Sequence, residues 1–499
     1  MSFREVLFFV YIASTYYGVQ GNLLTVGNGA TYENIFTAVD QAQNGDTIQL
    51  YDGLYSGSTN VNINLRDKSL TITGTSQQNT VINCQSQGFA FFSQGSAISL
   101  TISNLTFTNC VGSSGGALQL VLNSSFVSVS QVSFLNNSAS SGSAIFSQGS
   151  ASFLDVTDSL FQYNVAASSG GAVYVNGMNV TIQNTVFDSN KGQNGGGIYS
   201  TSSTVRVTDS QFRSNRATAT GGAWFFSSSR DVQIVNNKFT QNRAGTDGAS
   251  LLAQSSTCHI NSCYFAQNYA QTGGAVSSAL SIVYLESCTI VNNTGTSWGG
   301  ALFGESSTLF DVSTTLMSSN VAGLGGGAVA VFSEAEVFLA QCVITLNRAP
   351  SGGAIFLQYD NDVSIAETTI TDNQALANGG GVYCSDSTLT IDKLTSLANN
   401  TSPDPDEANI YCAKDIAYTI CQVDGDSAFS DFCDMVPGNG GSDAPVLSGT
   451  GLAIVIVVVA IGAMSVIGVI AIGCYMRKKS KEAQYKFLEM QDDEANLLV

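Results

Sequence analysis

The sequence has 499 residues, with 18 basic side chains against 37 acidic ones and a single histidine, which gives a formal net charge of −19. This charge argues against nucleic acid or an anionic membrane surface as a partner, because both require a basic face. One histidine rules out a metal site built on a histidine pair. The sequence therefore predicts no metal and no cofactor.

The amino terminus has the pattern of a secretory signal. Arg4 precedes an apolar run over residues 6–13, and small residues follow at Gly18 and Gly21. The apolar run is too short to span a bilayer. Residues 1–21 are therefore predicted to be a cleaved signal peptide.

Residues 22–110 differ from the rest of the chain and are predicted to form an amino-terminal cap and the first turns. Residues 24–26 have the pattern of a short strand, residues 32–43 that of an amphipathic helix, and residues 45–55 that of further strands and a turn. A helix here would cover the open apolar end of a coil of strands.

Residues 111–400 repeat one unit at a spacing of about 26 residues, which is typical of a solenoid. Each unit has a large apolar residue, an Asn three positions later, a Gly-Gly-Ala corner or a one-residue variant, and then alternating apolar residues. Alternation such as Val205-Arg-Val207 indicates strands with one face inward. We therefore predict a triangular parallel coil of about 13 turns, or rungs.

Two internal columns follow from this period. The large apolar residue of each unit should stack on its counterpart in the next rung. The side-chain amides of the Asn residues should bond to one another and to the backbone; the alternative is that Asn only favours turns here. The phenylalanines are Phe134, Phe161, Phe187, Phe212, Phe239 and Phe265, continued by Ile290, Met317, Ile344 and Ile370. The Asn residues are Asn137, Asn164, Asn190, Asn215, Asn242, Asn268, Asn293, Asn320, Asn347, Asn373 and Asn400.

Two families have motifs like these. Residues 24–82 resemble the amino-terminal cap of the pectin lyase-like superfamily, with Gly-Asp-Thr-Ile at 45–48 and Gly-Leu-Tyr at 53–55. The Gly-Gly-Ala-apolar and Phe-x-x-Asn pairs over residues 104–400 resemble the repeats of bacterial polymorphic outer membrane proteins. These resemblances imply an all-β, right-handed parallel β-helix and a role in surface adhesion. The chain departs from the bacterial pattern after residue 400.

After the repeats, residues 401–450 are predicted to form a cysteine-containing cap and a stalk. Residues 452–476 carry no charge. As a helix they would be about 37 Å long, enough for a hydrocarbon core of about 30 Å. A basic run at 477–479 predicts a cytosolic carboxy terminus. The chain is therefore expected to be a single-pass membrane protein with one transmembrane helix, and Cys474 is a lipidation candidate.

The tail over residues 477–499 is too short for a domain and contains two sequences that resemble sorting signals. Tyr485 and Leu488 fit a tyrosine-based signal, and Asp493, Leu497 and Leu498 fit an acidic dileucine signal. The resemblance implies a clathrin adaptor as a partner of the tail. The alternative is a tail without signals.

The chain has 11 cysteines, and all but Cys474 lie outside the membrane segment, which suits an oxidising compartment. Neighbouring rungs about 4.8 Å apart lie within the range that a disulfide spans. The connectivity stays open, but stacking favours Cys84 with Cys110, Cys263 with Cys288 and Cys384 with Cys412, while Cys421 and Cys433 are close in sequence.

Asn-x-Ser/Thr sequons predict N-glycosylation outside the membrane. Asn399 and Asn400 are adjacent, so both are not expected to carry a glycan. The candidates are Asn104, Asn123, Asn136, Asn179, Asn292, Asn399 and Asn400.

The pectin lyase-like superfamily includes enzymes that degrade acidic polysaccharides, so catalysis must be considered. Asp158 and Asp209 share one phase of the repeat, but Asn184 lies between them. This is the pattern of a polar turn column, and no catalytic residue is predicted.

The leading hypothesis is a non-enzymatic receptor or adhesin that binds a glycan or another surface. Its location would be the plasma membrane or an endolysosomal membrane, with the amino terminus extracellular or luminal. The alternatives are a membrane-tethered polysaccharide-degrading enzyme and a structural coat protein.

Overall fold

The computed structural model describes residues 21–413 and the backbone of residues 421–424. They belong to the first of two compact units of the chain, residues 1–434. The described residues form an all-β, right-handed parallel solenoid of about 14 turns. The predicted fold class is confirmed for this part of the chain, with one more turn than expected.

Each turn has three faces, named sheets 1, 2 and 3, and their strands belong to one continuous 40-stranded sheet. Sheet 1 contains Leu23–Val26, Thr47–Leu50, Leu70–Gly74, Ser99–Thr108, Phe126–Leu135, Phe153–Thr157, Asn179–Gln183, Thr204–Thr208, Val232–Val235, Thr257–Asn261, Ile282–Glu286, Leu309–Ser313, Glu336–Ala340, Ile355–Ala366, Val382–Ile391 and Cys421–Asp424. Sheet 2 contains Gly53–Tyr55, Thr80–Asn83, the ends of Ser99–Thr108 and Phe126–Leu135, Leu160–Gln162, Val186–Asp188, Gln211–Arg213, Lys238–Thr240, Tyr264–Ala266, Thr289–Val291, Leu316–Ser318, Val343–Thr345, Thr369–Thr371 and Ser396–Ala398. Sheet 3 contains Ile63–Arg66, Phe91–Ser96, Leu118–Asn123, Ile145–Gln148, Val173–Asn176, Ile198–Thr201, Trp224–Ser227, Leu251–Gln254, Val276–Ala279, Leu302–Glu305, Val329–Phe332, the beginnings of Ile355–Ala366 and Val382–Ile391, and Ile410–Cys412.

Between sheets 2 and 3 the chain forms short corner strands in two five-stranded groups. The first group is Val111–Ser114, Ser138–Ser141, Val165–Ala166, Lys191–Gly192 and Arg216–Ala217. The second is Tyr269–Thr272, Thr294–Trp298, Val321–Ala322, Arg348–Ser351 and Gln374–Asn378.

The predicted phenylalanine column is confirmed by the strand register. Phe212 pairs with Phe239, and Phe239 pairs with Phe265, in neighbouring parallel strands. The ring centroids of these three residues are 4.8 Å apart, and all three rings are fully buried. Stacked rings therefore fill the interior of the coil along sheet 2.

The predicted amide ladder is also confirmed. The backbone N–H and the side-chain amide of Asn242 both donate to Oδ1 of Asn268, at 2.9 and 3.1 Å. The side-chain amide of Asn268 donates in turn to Oδ1 of Asn293 and to the carbonyl of Phe239, each at 2.9 Å. Each ladder Asn therefore satisfies buried polar groups in the rungs on either side of it.

Most corners turn through a residue with positive φ that is followed by a buried polar residue. In one rung the turning residues are Asn236, Gln241 and Ser255, with φ of 56°, 57° and 47°. The residues that follow bond to the next rung, as when the N–H of Ser229 donates to Oγ of Ser256 at 3.0 Å. Two further polar ladders, which the sequence did not reveal, therefore accompany the Asn ladder.

The Gly-Gly corners combine a backbone turn with a close approach between neighbouring rungs. Gly273 has φ of 59°, which favours glycine, and a Cβ atom at Gly274 would lie 2.2 Å from the carbonyl oxygen of Gly300 in the next rung. The pair therefore provides first the turn and then the close approach.

A helix covers the amino-terminal end, as predicted. It spans Ile35–Gln41, and the side chain of Asn34 caps it by accepting from the N–H of Thr37. Its buried residues Ile35, Ala38 and Val39 join the core. A 3₁₀-helix at Pro405–Glu407 follows the last full rung.

The cysteine predictions have different outcomes. Cys84 and Cys110 form a disulfide with a Cα–Cα distance of 4.7 Å, as predicted. Cys384 and Cys412 pair in neighbouring strands, and each takes part in a disulfide. The side chain of Cys421 and all of Cys433 lie outside the described residues.

The predicted disulfide between Cys263 and Cys288 is wrong. Both residues are buried free thiols that occupy ladder positions. Cys263 contacts the carbonyls of Ile234 and Asn261, at 3.4 and 3.3 Å. A hydrogen bond with Cys288, followed by burial, raises the pKa of the Cys263 thiol. The strand register places the two sulfurs close together, as predicted. They remain thiols, and in the polar ladder they occupy positions that serine or threonine occupies in other rungs.

No helix within residues 21–413 has the length and apolar character that a membrane crossing needs. The predicted segment 452–476, Cys474, and the tail residues Tyr485, Leu488, Asp493, Leu497 and Leu498 lie outside the described residues.

Candidate functional site

The outward side chains of sheet 3 form a column, named the outer column, with one member in each rung from the strand Phe91–Ser96 onward. Most of its members are aromatic, although they face away from the core. They are Phe92, Gln119, Phe146, Tyr174, Tyr199, Phe225, Leu252, Ser277, Phe303, Ala330, Phe356, Tyr383 and Tyr411.

Rings of the outer column stack on one another. The centroids of Phe146 and Tyr174 are 4.8 Å apart with an interplanar angle of 6°, and those of Tyr174 and Tyr199 are 5.3 Å apart with an angle of 3°. The faces of these rings therefore cover each other, and mainly their edges remain available outside. A ligand can reach a ring face only where a ring is missing from the column.

One such gap lies at Ala330, and neighbouring rings fill it. Trp298 and Phe332 pack against each other with centroids 4.9 Å apart, and Trp298 lies at the same distance from Phe356. With Phe303 they form a small apolar cluster around the fully buried Ala330. The protein has closed this gap with its own side chains.

A second gap lies at Ser277, and it is open. Ser277 and Ala279 are two small outward residues on the strand Val276–Ala279. The larger residues Leu252 and Gln254 occupy the same two positions in the rung before. Phe303 and Glu305 occupy them in the rung after. The result is a cleft of about 330 Å³, at the lower end of the range for small-ligand sites. It is lined by Asn194, Thr220, Phe225, Asp247, Leu252, Gln254, Ser277, Ala279 and Glu305.

The cleft combines an apolar wall with polar groups. Phe225 and Leu252 supply the wall. Ser277 is only 3 % exposed, and among residues 21–413 no group forms a hydrogen bond with its hydroxyl. Among the described residues, the hydroxyl that is both fully buried and unpartnered is that of Ser250. The hydroxyl of Ser277 therefore keeps access to the cleft and is available to a ligand.

Two carboxylates make the cleft negative. Asp247 accepts a hydrogen bond from the hydroxyl of Thr272 at 2.5 Å. The pKa of Glu305 is raised, first by lost hydration and second by the negative charge of Asp247, although Glu305 keeps an exposed surface. No Lys, Arg or His is among the residues that line the cleft.

The structure does not bring Asp158 and Asp209 together as a site. Both are exposed turn residues at the corner between sheets 1 and 2, with φ of 50° and 53°. Asn184 donates to Asp158, and Asn236 donates to Asp209, each at 2.6 Å. They form the polar turn column that their spacing indicated, and neither lines the cleft.

The single histidine lies on another face. His259 stacks on Tyr284 on the outside of sheet 1, with ring centroids 4.5 Å apart. Within the described part of the chain, no cluster of three or more His, Cys, Asp or Glu side chains is arranged to hold a metal ion.

The sequons differ in accessibility. Asn123, Asn136, Asn292 and Asn399 are exposed, and Asn104 and Asn179 are half-buried. Asn400 is only 5 % exposed, and its side-chain amide donates to the carbonyl of Ile370 in the ladder. Folded Asn400 therefore has no free amide for a glycan, and Asn399 is the better candidate of the adjacent pair.

Comparison with known proteins identifies the family. The family described as "Right handed beta helix region" matches residues 143–310 and 282–414, which together make up more than half of the chain. The chain belongs to the right-handed β-helix family. No curated protein matches this β-helix chain.

Several solved structures are similar to this chain at low identity. The catalytic unit of a GH87 α-1,3-glucanase from Streptomyces thermodiastaticus is 12% identical over 78% of this chain and 71% of that one, with a TM-score of 0.38. A mannuronic acid specific polysaccharide family 6 lyase from human gut microbiota is 11% identical over 74% and 86%, with a TM-score of 0.36. PfbA, a surface adhesin of Streptococcus pneumoniae, is 10% identical over 74% and 88%, with a TM-score of 0.31. The fold alone does not define a function.

Proposed function

We propose that this β-helix protein is a non-enzymatic glycan-binding receptor or adhesin, and that the cleft at Ser277 holds one sugar ring. The observation that carries the proposal is the open gap in the outer column. Aromatic rings occupy most of this column, and at Ala330 rings from neighbouring positions fill the space. A ring-shaped ligand fits where the protein supplies no ring.

The lining of the cleft favours a sugar among ring-shaped ligands. A pyranose has apolar C–H faces and a rim of hydroxyl groups. The wall of Phe225 and Leu252 matches the apolar part. The hydroxyl of Ser277 and the side chains of Asn194 and Gln254 can exchange hydrogen bonds with the rim.

The proposed location rests on the sequence. The signal pattern at residues 1–21, the uncharged segment 452–476 and the exposed sequons suit a type I single-pass membrane glycoprotein. The disulfide between Cys84 and Cys110 suits an oxidising compartment. The tail signals suit endolysosomal sorting through a clathrin adaptor.

Glycan binding can be tested with the full-length chain in detergent micelles on a glycan array. Ser277→Phe fills the gap and should abolish retention of the glycans that the unchanged protein binds. Gln119→Phe adds a ring to another position of the same column and serves as the matched control. Retention that survives Ser277→Phe would exclude the cleft as the site, and an unchanged protein that retains no glycan would overturn the proposal.

Sorting can be tested in cells. The double variant Tyr485→Ala and Leu497→Ala should remain longer at the cell surface, measured by antibody uptake. Unchanged internalisation would count against the tail signals.

A second candidate function, polysaccharide hydrolysis, is favoured by one observation. Asp247 and Glu305 share the cleft, and lost hydration, followed by the charge of Asp247, raises the pKa of Glu305. A raised pKa keeps a carboxyl protonated to higher pH, which general-acid catalysis of glycoside hydrolysis requires. Release of new reducing ends that disappears in Glu305→Gln would support it. Specific retention of a glycan without turnover would support binding alone.

A further inference from the structure

We infer that the cleft selects an amino sugar, whose protonated amine lies in the combined field of Asp247 and Glu305. This inference rests on the proposed sugar binding and adds the class of sugar. It combines three observations: the position of the carboxylates relative to the gap, their lack of a cationic partner, and the free hydroxyl of Ser277.

The two carboxylates flank the gap from opposite sides. Asp247 is bridged to Thr272 in the next rung, and Thr272 is paired with Trp298 in the rung after that. Asp247 therefore belongs to the rung before the gap, and Glu305 to the rung after it. With rungs about 4.8 Å apart, the carboxylates lie about two rung spacings apart along the coil. A ring seated over Ser277 lies between them.

Both charges lack a cation of their own. Across residues 21–413, neither Asp247 nor Glu305 takes part in a salt bridge, and the side chain of Asp247 accepts only the hydroxyl of Thr272. The apolar wall strengthens the field inside the cleft, because less water screens it. A bound ammonium group would relieve the repulsion between the two acids.

The hydroxyl of Ser277 gives the ligand a polar contact that the carboxylates do not supply. The residue is more than nine-tenths buried and lines the gap, and its hydroxyl makes no hydrogen bond with any residue from 21 to 413. A sugar hydroxyl or amine placed over this residue can therefore bond to it without displacing a group of the protein.

The same geometry discriminates among sugars. A uronate would bring a third negative charge between Asp247 and Glu305, which costs binding energy. An N-acetylated sugar has the same ring but no charge. The expected order of affinity is amino sugar first, N-acetylated or neutral sugar second, and uronate last.

The test uses the full-length protein in detergent micelles and three sets of oligosaccharides of equal length: glucosamine oligomers, N-acetylglucosamine oligomers and oligouronates. Affinities are measured by calorimetry at a pH where the amine is protonated and the carboxylates are ionised. Glucosamine oligomers should bind about tenfold more tightly than the acetylated ones, the effect of one charge-assisted contact. Asp247→Asn combined with Glu305→Gln should remove this preference, so that amino and acetylated oligomers bind with equal affinity.

Glu336→Gln is the charge control, because it removes one exposed carboxylate from sheet 1 and should keep the preference. Loss of the preference in this control, or its persistence in the Asp247 and Glu305 double variant, would overturn the inference. Equal affinity for amino and acetylated oligomers would also overturn it while leaving sugar binding intact. Absence of binding to every oligosaccharide would overturn the proposed function as well.

Discussion

Replacing Asn268 with leucine tests whether the amide ladder stabilises the coil. Asn268 lies within the ladder, and its Oδ1 accepts from the backbone N–H and the side-chain amide of Asn242. Its own amide donates to the carbonyl of Phe239 and to Oδ1 of Asn293. Leucine has a similar volume but forms none of these hydrogen bonds.

The magnitude follows from the groups that lose their partners. The side-chain amide of Asn242 keeps the carbonyl of Phe212, and Oδ1 of Asn293 keeps the backbone N–H of residue 268. The backbone N–H of Asn242 loses its acceptor, Oδ1 of Asn268. The carbonyl of Phe239 loses its donor, the side-chain amide of Asn268. Each buried polar group left without a bond costs about 1–3 kcal/mol. The local loss for these two groups is therefore about 2 to 6 kcal/mol.

Hydrogen exchange measured by mass spectrometry reports this loss, because it resolves opening in one part of a coil. Peptides that cover residues 237–247 should exchange at least roughly 30-fold faster than in the unchanged protein. Asn292→Leu is the matched control. Asn292 is an exposed turn residue with φ of 55°, and Leu346 occupies the equivalent position two rungs later with φ of 58°. Equal exchange in the Asn268 variant and the control would refute the reasoning.

Three further changes test separate parts of the structure. The pKa of Glu305 is raised, so its ionised form is disfavoured in the folded state. Glu305→Gln should therefore raise the melting temperature near neutral pH. This gain should vanish as the pH falls through the pKa of Glu305. A gain that persists in acid would contradict a cost that comes from the ionised form of Glu305, through lost hydration and the charge of Asp247. Gly274→Ala should destabilise the folded protein by about 3 kcal/mol or more, because the new Cβ atom would lie 2.2 Å from a backbone oxygen. Thermal unfolding measures this loss. Gly53→Ala is the control, because the atom nearest to its Cβ would lie 3.9 Å away. Cys263, buried with a raised pKa, should react with iodoacetamide only after unfolding, and modification of the folded protein, detected by mass spectrometry, would show that the rung opens.

The coil and its internal columns were predictable because a fixed period determines which residues stack. Phe265 and Asn268 recur in register, so their neighbours above and below followed from counting along the sequence. The same reasoning found the pairing of Cys84 with Cys110. It failed for Cys263, because register determines proximity but not whether two thiols are oxidised.

The cleft was not predictable from the period. Ser277 and Ala330 are both small residues in the same column, and the sequence gives no reason to treat them differently. The difference arises because Trp298 and Phe332 reach across to fill the space at Ala330, while the space at Ser277 stays open. The serine ladders were also hidden, because Ser, Thr, Asn and Cys alternate in them and serine is frequent throughout the chain.

The distribution of oxidised cysteines determines how such a coil comes apart. A stack of rungs peels from its termini, where each layer has a neighbour on only one side. The covalent bond between Cys84 and Cys110 and the oxidised Cys384 and Cys412 lie toward opposite termini of the described coil, while Cys263 and Cys288 stay reduced between them. Reducing conditions would therefore break the disulfides that hold the two terminal regions, while the interior rungs, whose cysteines are already reduced, would not change. The lifetime of the protein against proteases should then depend on the redox state of its surroundings.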